Sequence, residues 1–280
     1  CIPHYPDHVV QGYRNITETL PTNKAVSPTL LKTIVFGCRN LEVLSICVGD
    51  EQAANFLLFK PHWVPSSFIL NVHVTKQACL DIISLINFEH KRIYTSGFRP
   101  VFNNSARGVK KLFVEGEFSF SGLRSLENLE TLYIDKLLFD EYNIDEMESL
   151  EGFGMKSFHD RSINGADSLS KSRKLRHLYL NVRNLVYLSS ETTKTVQTFG
   201  FLDGCPTFKE IDAVFYLIPS FRYLDLTNLE ELPGDVLQIV SRYMENKEGH
   251  LTLYAKHLEI DPDCLTFLPG KLKVVLSGGN

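Results

Sequence analysis

The segment from Lys174 to Val182 constrains the fold of this chain most, because it reads Lys-Leu-Arg-His-Leu-Tyr-Leu-Asn-Val. Its leucines, Leu175, Leu178 and Leu180, stand at the spacing L-x-x-L-x-L, and Asn181 follows directly. In an extended strand the last two leucines point to one face, and the first reaches that face from the preceding turn. One such unit cannot bury its own apolar face, so the spacing requires stacked copies elsewhere in the chain.

Copies of this spacing recur along the chain. The segments 41–46 and 129–134 repeat it, 109–114 is a β-branched variant, and 221–226 matches most closely. Weaker copies begin at Met155, Val196, Phe208 and Leu251. Most steps between copies are about 20 to 26 residues, which is typical of a strand with one return. The step from Val196 to Phe208 is too short for a strand and a helix, so one of those two copies is misassigned or the return is a bare turn.

The copies that begin at residues 41, 109, 129, 175 and 221 resemble leucine-rich repeats, especially the irregular intracellular kind. The resemblance implies an α/β leucine-rich repeat solenoid with a curved parallel β-sheet on the concave side. Helices and irregular returns would form the convex side, and the concave side would bind protein partners. The alternative is an unrelated α/β fold in which strands alternate with helices.

The sequence predicts two segments of different character. Residues 1–26 contain three prolines and little periodicity, and we assign them to an N-terminal cap or leading segment. Residues 27–280 form the predicted solenoid. Because the sequence starts at Cys1 without Met, we interpret the solenoid as a fragment of a longer chain.

Helices are predicted between several of the strands. Ser27 and Pro28 open a helix that runs to about Val35, since Ser caps helices and Pro is favoured at the first position. Alternating apolar residues predict a strand over 68–74, and the residues after it predict a helix over 75–87 and a strand over 92–96. Helical spacing returns over 236–244, before predicted strands at 251–255 and 271–276.

A second resemblance covers only residues 232–244. Leu232-Pro, Val236-Leu237, Val240 and Met244 are similar to the opening helix of an F-box, by which ubiquitin-ligase adaptors dock on their scaffold. An F-box normally precedes the repeats, whereas this segment lies between two repeat strands, so a repeat helix is the favoured interpretation. The adaptor hypothesis, with a scaffold as an additional partner, therefore rests on the repeat architecture.

Composition bounds the class of protein. With 280 residues and 44% hydrophobic content, the chain can bury a large core. The net charge of −4 and the pI of about 6.2 do not favour nucleic acid as a partner. No apolar run is long enough to predict a membrane span.

The six cysteines favour a reducing, cytoplasmic or nuclear location. No pair has C-x-x-C spacing, and Cys38, Cys47 and Cys79 stand beside apolar residues, as buried free thiols do. The glycosylation triplets at Asn15 and Asn103, together with the even number of cysteines, support the alternative of an extracellular recognition domain.

Groupings that could carry chemistry are few. His4 and His8 are separated by Pro6, which spoils the helix that a metal pair would need, and His159-Asp160 is matched to no nucleophile. Acidic residues cluster over 140–151 and basic residues over 170–176, and both patterns are typical of solvated surface. We therefore predict no catalytic residue, no metal and no cofactor. An enzyme of unrecognised class is the remaining alternative.

The predicted contact residues are those that alternate with the repeat leucines. Neighbouring strands would align them in rows on the concave face. Phe113, Tyr133 and Tyr179 would fall in one aromatic row, with Asp225 at the matching position farther along, and aromatic side chains are common interface anchors. The complete predicted contact set is Lys111, Phe113, Glu115, Thr131, Tyr133, Asp135, His177, Tyr179, Asn181, Tyr223, Asp225 and Thr227.

Overall fold

The computed structural model describes residues 25–37, 43–58, 68–86, 90–102, 106–119, 126–138, 148–158, 174–182, 185, 194–202, 206–218, 220–229, 236–245, 249–255 and 270–276. The chain divides into two compact units. The first unit comprises Thr17–Asn143 and Met147–Leu150, and the second comprises Cys1–Ile16, Ile144–Glu146 and Glu151–Asn280.

The first unit is a parallel sheet with helices between its early strands. Its elements in chain order are α1 (Pro28–Gly37), β1 (Val43–Val48), α2 (Glu51–Leu58), β2 (Ile69–Val74), α3 (Gln77–Ser84), β3 (His90–Thr95), a short 3-10 turn (Ala106–Gly108), β4 (Lys111–Ser119) and β5 (Thr131–Leu138). Each strand pairs in parallel with the next one in the sequence. Helix α2 packs against both α1 and α3, so the helices form a layer of their own.

The second unit is also a parallel sheet, with helices between its later strands. Its elements are β6 (Gly152–Phe158), β7 (His177–Leu180), β8 (Thr198–Phe201), α4 (Phe208–Leu217), β9 (Tyr223–Asp225), α5 (Val236–Glu245), β10 (Leu251–Ala255) and β11 (Leu272–Leu276). The strands again pair in parallel and in chain order. Parallel strands paired in sequence order, with the residues of the L-x-x-L-x-L spacing buried on one face, are the arrangement that a leucine-rich repeat solenoid requires, so the predicted fold class is confirmed.

The repeat leucines form the apolar face of each sheet, here called the leucine face. In the first unit Ile93, Leu112 and Leu132 are registered neighbours and are fully buried. In the second unit the equivalent row is Phe153, Leu178, Phe199, Leu224 and Leu253, also fully buried. Burying one such side chain stabilises the fold by about 1.5–3 kcal/mol, and only stacking achieves it.

Helix starts are fixed by local polar side chains. The Ser27 hydroxyl accepts a hydrogen bond from the Leu30 amide at 3.2 Å, as the predicted cap requires. Asp50 plays the same part for α2, accepting from the amide of Gln52 at 2.8 Å. At α4, Thr207 and Glu210 form a reciprocal capping box.

A buried lysine lies on the leucine face of the first unit. The Lys91 ammonium donates to the carbonyl oxygens of Ile83 at 3.2 Å, Ser84 at 3.4 Å and Ile86, at the carboxyl end of α3. The last carbonyls of a helix lack intrahelical partners and carry partial negative charge, so a cation there is favourable. Burial nevertheless lowers the pKa of Lys91 to about 8.

Two of the weaker repeat copies were wrong. Met155 is paired with Leu180, the last leucine of the spacing, and not with Leu175, the first. The same register aligns Leu150 with Leu175, so that copy begins at Leu150. Phe208 begins helix α4, which also accounts for the short step after Val196. The F-box-like segment from Val236 is helix α5, which packs against α4 and buries most of its apolar residues, as a repeat helix does.

The predicted helices and strands of the first unit are otherwise present, within a few residues of their expected bounds. Cys47 and Cys79 are free and buried, as predicted. The predictions for Cys38, for His4, His8 and His159, and for Asn15 and Asn103 lie outside the described residues. Of the two charged clusters, the described members Glu148, Glu151, Lys174 and Arg176 are exposed, as predicted for solvated surface, and the others lie outside the described residues. Within the described ranges, no helix is both long enough and apolar enough to cross a membrane.

Candidate interaction face

The side chains that alternate with the leucine face form the opposite side of each sheet, here called the polar face. In the first unit it consists of three rows that cross the strands. The first row is Ser45, Asn71, Arg92, Lys111 and Thr131. The central row is Cys47, His73, Tyr94, Phe113 and Tyr133. The third row, just beyond the paired strand residues, includes Thr75, Ser96, Glu115 and Asp135.

Three of the five residues in the central row of the first unit are aromatic, and their rings stack on one another. The rings of Tyr94 and Phe113 lie 4.6 Å apart with 20° between their planes, and those of Phe113 and Tyr133 lie 5.3 Å apart at 6°. Phe113 and Tyr133 each retain only 2% of their exposure. Burial raises the pKa of Tyr94 to about 12, although a hydrogen bond and the charge of Arg92 act in the opposite direction. The rings therefore pack against one another as a second, aromatic core.

The polar face of the second unit has the same three rows. Its first row is Gly152, His177, Thr198, Tyr223, Thr252 and Lys273. Its central row is Gly154, Tyr179, Gly200, Asp225, Tyr254 and Val275. Asn181 and Thr227, each just past its strand, belong to the third row.

In the central row of the second unit, the side chain of Tyr179 lies over Gly200 and reaches Asp225. The Tyr179 hydroxyl donates a hydrogen bond to Oδ2 of Asp225 at 3.3 Å, although strand β8 lies between them. Gly200 makes this reach possible, because a Cβ there would lie 2.5 Å from ring carbon Cδ1 of Tyr179 and closer still to Cε1. Only a residue without a side chain fits beneath the ring.

Asp225 is a fully buried carboxyl group with a satisfied local network. Its Oδ1 accepts hydrogen bonds from the amide of Thr227 at 3.0 Å and from the Thr227 hydroxyl at 2.6 Å. Burial raises the pKa of Asp225, while these bonds and the one from Tyr179 act to lower it. Because Asp225 accepts hydrogen bonds from both Thr227 and Tyr179, it ties the turn after β9 to strand β7.

The predicted contact residues separate into two groups. Phe113, Tyr133, Tyr179 and Asp225 are buried, so they offer no surface to a partner. The other eight lie in the first and third rows and are half-buried or exposed. They are Lys111, Glu115, Thr131, Asp135, His177, Asn181, Tyr223 and Thr227. We call these two rows the flanking rows.

Polar contacts order the flanking rows of the first unit. Asn71 donates to the Ser45 hydroxyl at 3.0 Å in the first row. At the other side, His73 Nε2 lies 2.5 Å from the Ser96 hydroxyl, and burial lowers the pKa of His73 while Glu115 acts to raise it. The amide of Gly116, which has a φ of 103°, donates to Asp135 at 3.1 Å.

Sequence reasoning missed several residues of this face. Arg92 and Tyr94 belong to it because β3 aligns with β4, and their alternation in the sequence was the available signal. The sequence also contained a signal for Gly200, because a glycine inside a predicted strand often marks a close approach of another group to the backbone. The burial of Lys91 had no signal in the sequence, where His-Lys-Arg is typical of solvated surface. Among the described residues, no group of three or more His, Cys, Asp or Glu side chains could hold a metal ion.

Comparison with known proteins gives limited similarity. No protein-family model and no curated protein matches the sequence. Among solved structures, a chain of the yeast Rad7–Elc1 complex is similar at 13% identity and a TM-score of 0.41, over 93% of this chain and 80% of that one. An internalin from Listeria monocytogenes is similar at 11% identity and a TM-score of 0.30, over 96% of this chain and 94% of that one.

Proposed function

We propose that this chain is a non-catalytic protein-interaction module that contacts its partner through the flanking rows of the polar face. The observation that carries the proposal is the contrast within that face. The central row is buried apart from the half-buried His73 and Val275, whereas most residues of the rows on either side present charged, amide and aromatic hydroxyl groups with partial exposure. A rigid central row that holds accessible polar groups at fixed spacing is suited to specific recognition of another protein.

Within this proposal, the chain is the partner- or substrate-recognition part of a larger assembly, such as a ubiquitin-ligase adaptor. Its support is the resemblance of the repeats to those of adaptor proteins. The free, buried thiols of Cys47 and Cys79 support a reducing location such as the cytoplasm or nucleus.

Variants of two tyrosines in the second unit, one in a flanking row and one on a helix, test whether the flanking rows contact the partner. Tyr223 is half-buried in the first row, whereas Tyr216 is 82% exposed on helix α4. We expect the double variant His177→Ala/Tyr223→Ala to lose partners that the wild-type chain and Tyr216→Ala both retain. Partners would be captured from cell extract and quantified by mass spectrometry, with thermal melts to confirm that all three chains are folded.

The two possible results are easily separated. Loss of the same partners only in the double variant would support the flanking rows as the contact surface. An unchanged set of partners in a folded double variant, or an equal loss in Tyr216→Ala, would contradict the proposal.

A further inference from the structure

The first row of the first unit carries two neighbouring cations and no carboxylate. Arg92 on β3 and Lys111 on β4 are registered partners, so their backbones lie about 4.8 Å apart. Ser45, Asn71 and Thr131 complete the row with hydroxyl and amide groups. The chain as a whole has a net charge of −4, so this row is a local exception to its overall charge.

The surroundings of Arg92 prepare it for an anion. Its side chain is half-buried and contacts the buried Tyr94 hydroxyl, so the guanidinium group is partly ordered before any partner arrives. The stacked rings of Tyr94 and Phe113 beside it are buried, and a charge interaction is stronger at the edge of such an apolar region than in water. A planar guanidinium group binds a carboxylate through two parallel hydrogen bonds.

The third row has the opposite charge. Glu115 is exposed and Asp135 is half-buried, and they lie four residues along their strands from the cationic row, a distance of about 13 Å. Acidic groups of a partner would be attracted by the first row and repelled by the third. This pattern sets the direction in which a charged segment can lie on the face.

We infer that the first row of the first unit binds an acidic segment of a protein partner, with Arg92 and Lys111 contacting its carboxylates. The inference rests on the proposed function and adds the chemistry of the partner and its orientation. A protein segment is favoured over nucleic acid because the row offers two cations, and Glu115 and Asp135 would repel an extended phosphate backbone.

The test uses a short fluorescein-labelled polyglutamate peptide, measured by fluorescence anisotropy at low ionic strength. We expect Arg92→Gln and Lys111→Gln each to weaken its binding roughly tenfold, because each removes a charge-assisted contact. Arg92→Lys should recover part of the loss. Lys32→Gln on α1, an exposed lysine of the same unit, should leave binding unchanged. Glu115→Gln should strengthen binding about twofold, since it removes a repulsive charge.

Several results would overturn the inference. These are no binding of polyglutamate to the wild-type chain, equal binding by folded Arg92→Gln and Lys111→Gln variants, or tighter binding of polylysine or a short oligouridylate. The failure would remain distinguishable from failure of the proposed function, which is tested by His177 and Tyr223 in the other unit.

Discussion

The side chains in the central row of the polar face pack differently in the two units. In the first unit, large rings from three adjacent strands stack on one another, with Phe113 between two tyrosines. In the second unit, Tyr179 lies across Gly200 and ends on the buried carboxyl group of Asp225. Parallel strands with the same geometry can therefore carry large side chains at adjacent positions of the row, or one large side chain next to a glycine.

The units also place their buried charges differently. The first buries a cation, Lys91, on the leucine face at a helix end. The second buries an acidic group, Asp225, on the polar face at the end of strand β9. Lys91 is held by backbone carbonyls, whereas Asp225 is held by one backbone amide and two hydroxyl groups, and these bonds offset part of the cost of burial. Beyond the leucine face that both units share, the polar face is thus stabilised by ring packing in the first unit and by a tyrosine–carboxyl contact in the second.

The variant that we expect to destabilise the protein most is in the first unit. Phe113→Ala removes the middle ring of the stack and leaves a cavity between Tyr94 and Tyr133, so we expect the free energy of unfolding to fall by about 4 kcal/mol. Chemical denaturation of the variant and the wild-type chain measures this difference. A loss below about 1 kcal/mol would mean that the rings are not a core.

A somewhat smaller effect is expected from Gly200→Ala in the second unit. The new Cβ would overlap the ring of the buried Tyr179, so we expect a loss of about 2–3 kcal/mol. Gly270→Ala is the matched control, because a Cβ there meets nothing within 4 Å and the same unit is probed. Equal stabilities of the two variants would contradict the close approach of ring and backbone.

The smallest effect is expected from Asp225→Asn, which keeps an acceptor for Thr227 and a polar group for Tyr179. We expect a change of about 1 kcal/mol or less, but one that depends on pH. Because burial raises the pKa of Asp225, its contribution is complete below the unfolded pKa, 3.8, and is lost as pH rises through the folded value.

Denaturation of both chains between about pH 4 and pH 7 measures that dependence. The stability of the wild-type chain relative to Asp225→Asn should decline as pH rises, and other groups cancel in the difference. A wild-type advantage that grows with pH would show that the folded carboxyl group has a lowered pKa instead.

The sequence predicts the leucine face well and the polar face less well. The positions of Leu112, Leu178 and Leu224 follow from strand periodicity, because burial on one face imposes a strict alternation. The burial of Phe113 and Tyr179 does not follow, since alternation assigns a residue to a face but does not state how its lateral neighbours fill the space. The weak copy at Phe208 failed because apolar spacing in a short window fits a helix as well as a strand.

Oxidation of tyrosines by hydroxyl radicals, read by mass spectrometry on the native chain, measures directly whether the two central rows are buried. Tyr133 and Tyr179 of the two central rows should be protected, Tyr223 of a flanking row should react at an intermediate rate, and Tyr216 on α4 should react fastest. Tyr133 or Tyr179 reacting as fast as Tyr223 would contradict a buried central row, and with it the assignment of contacts to the flanking rows.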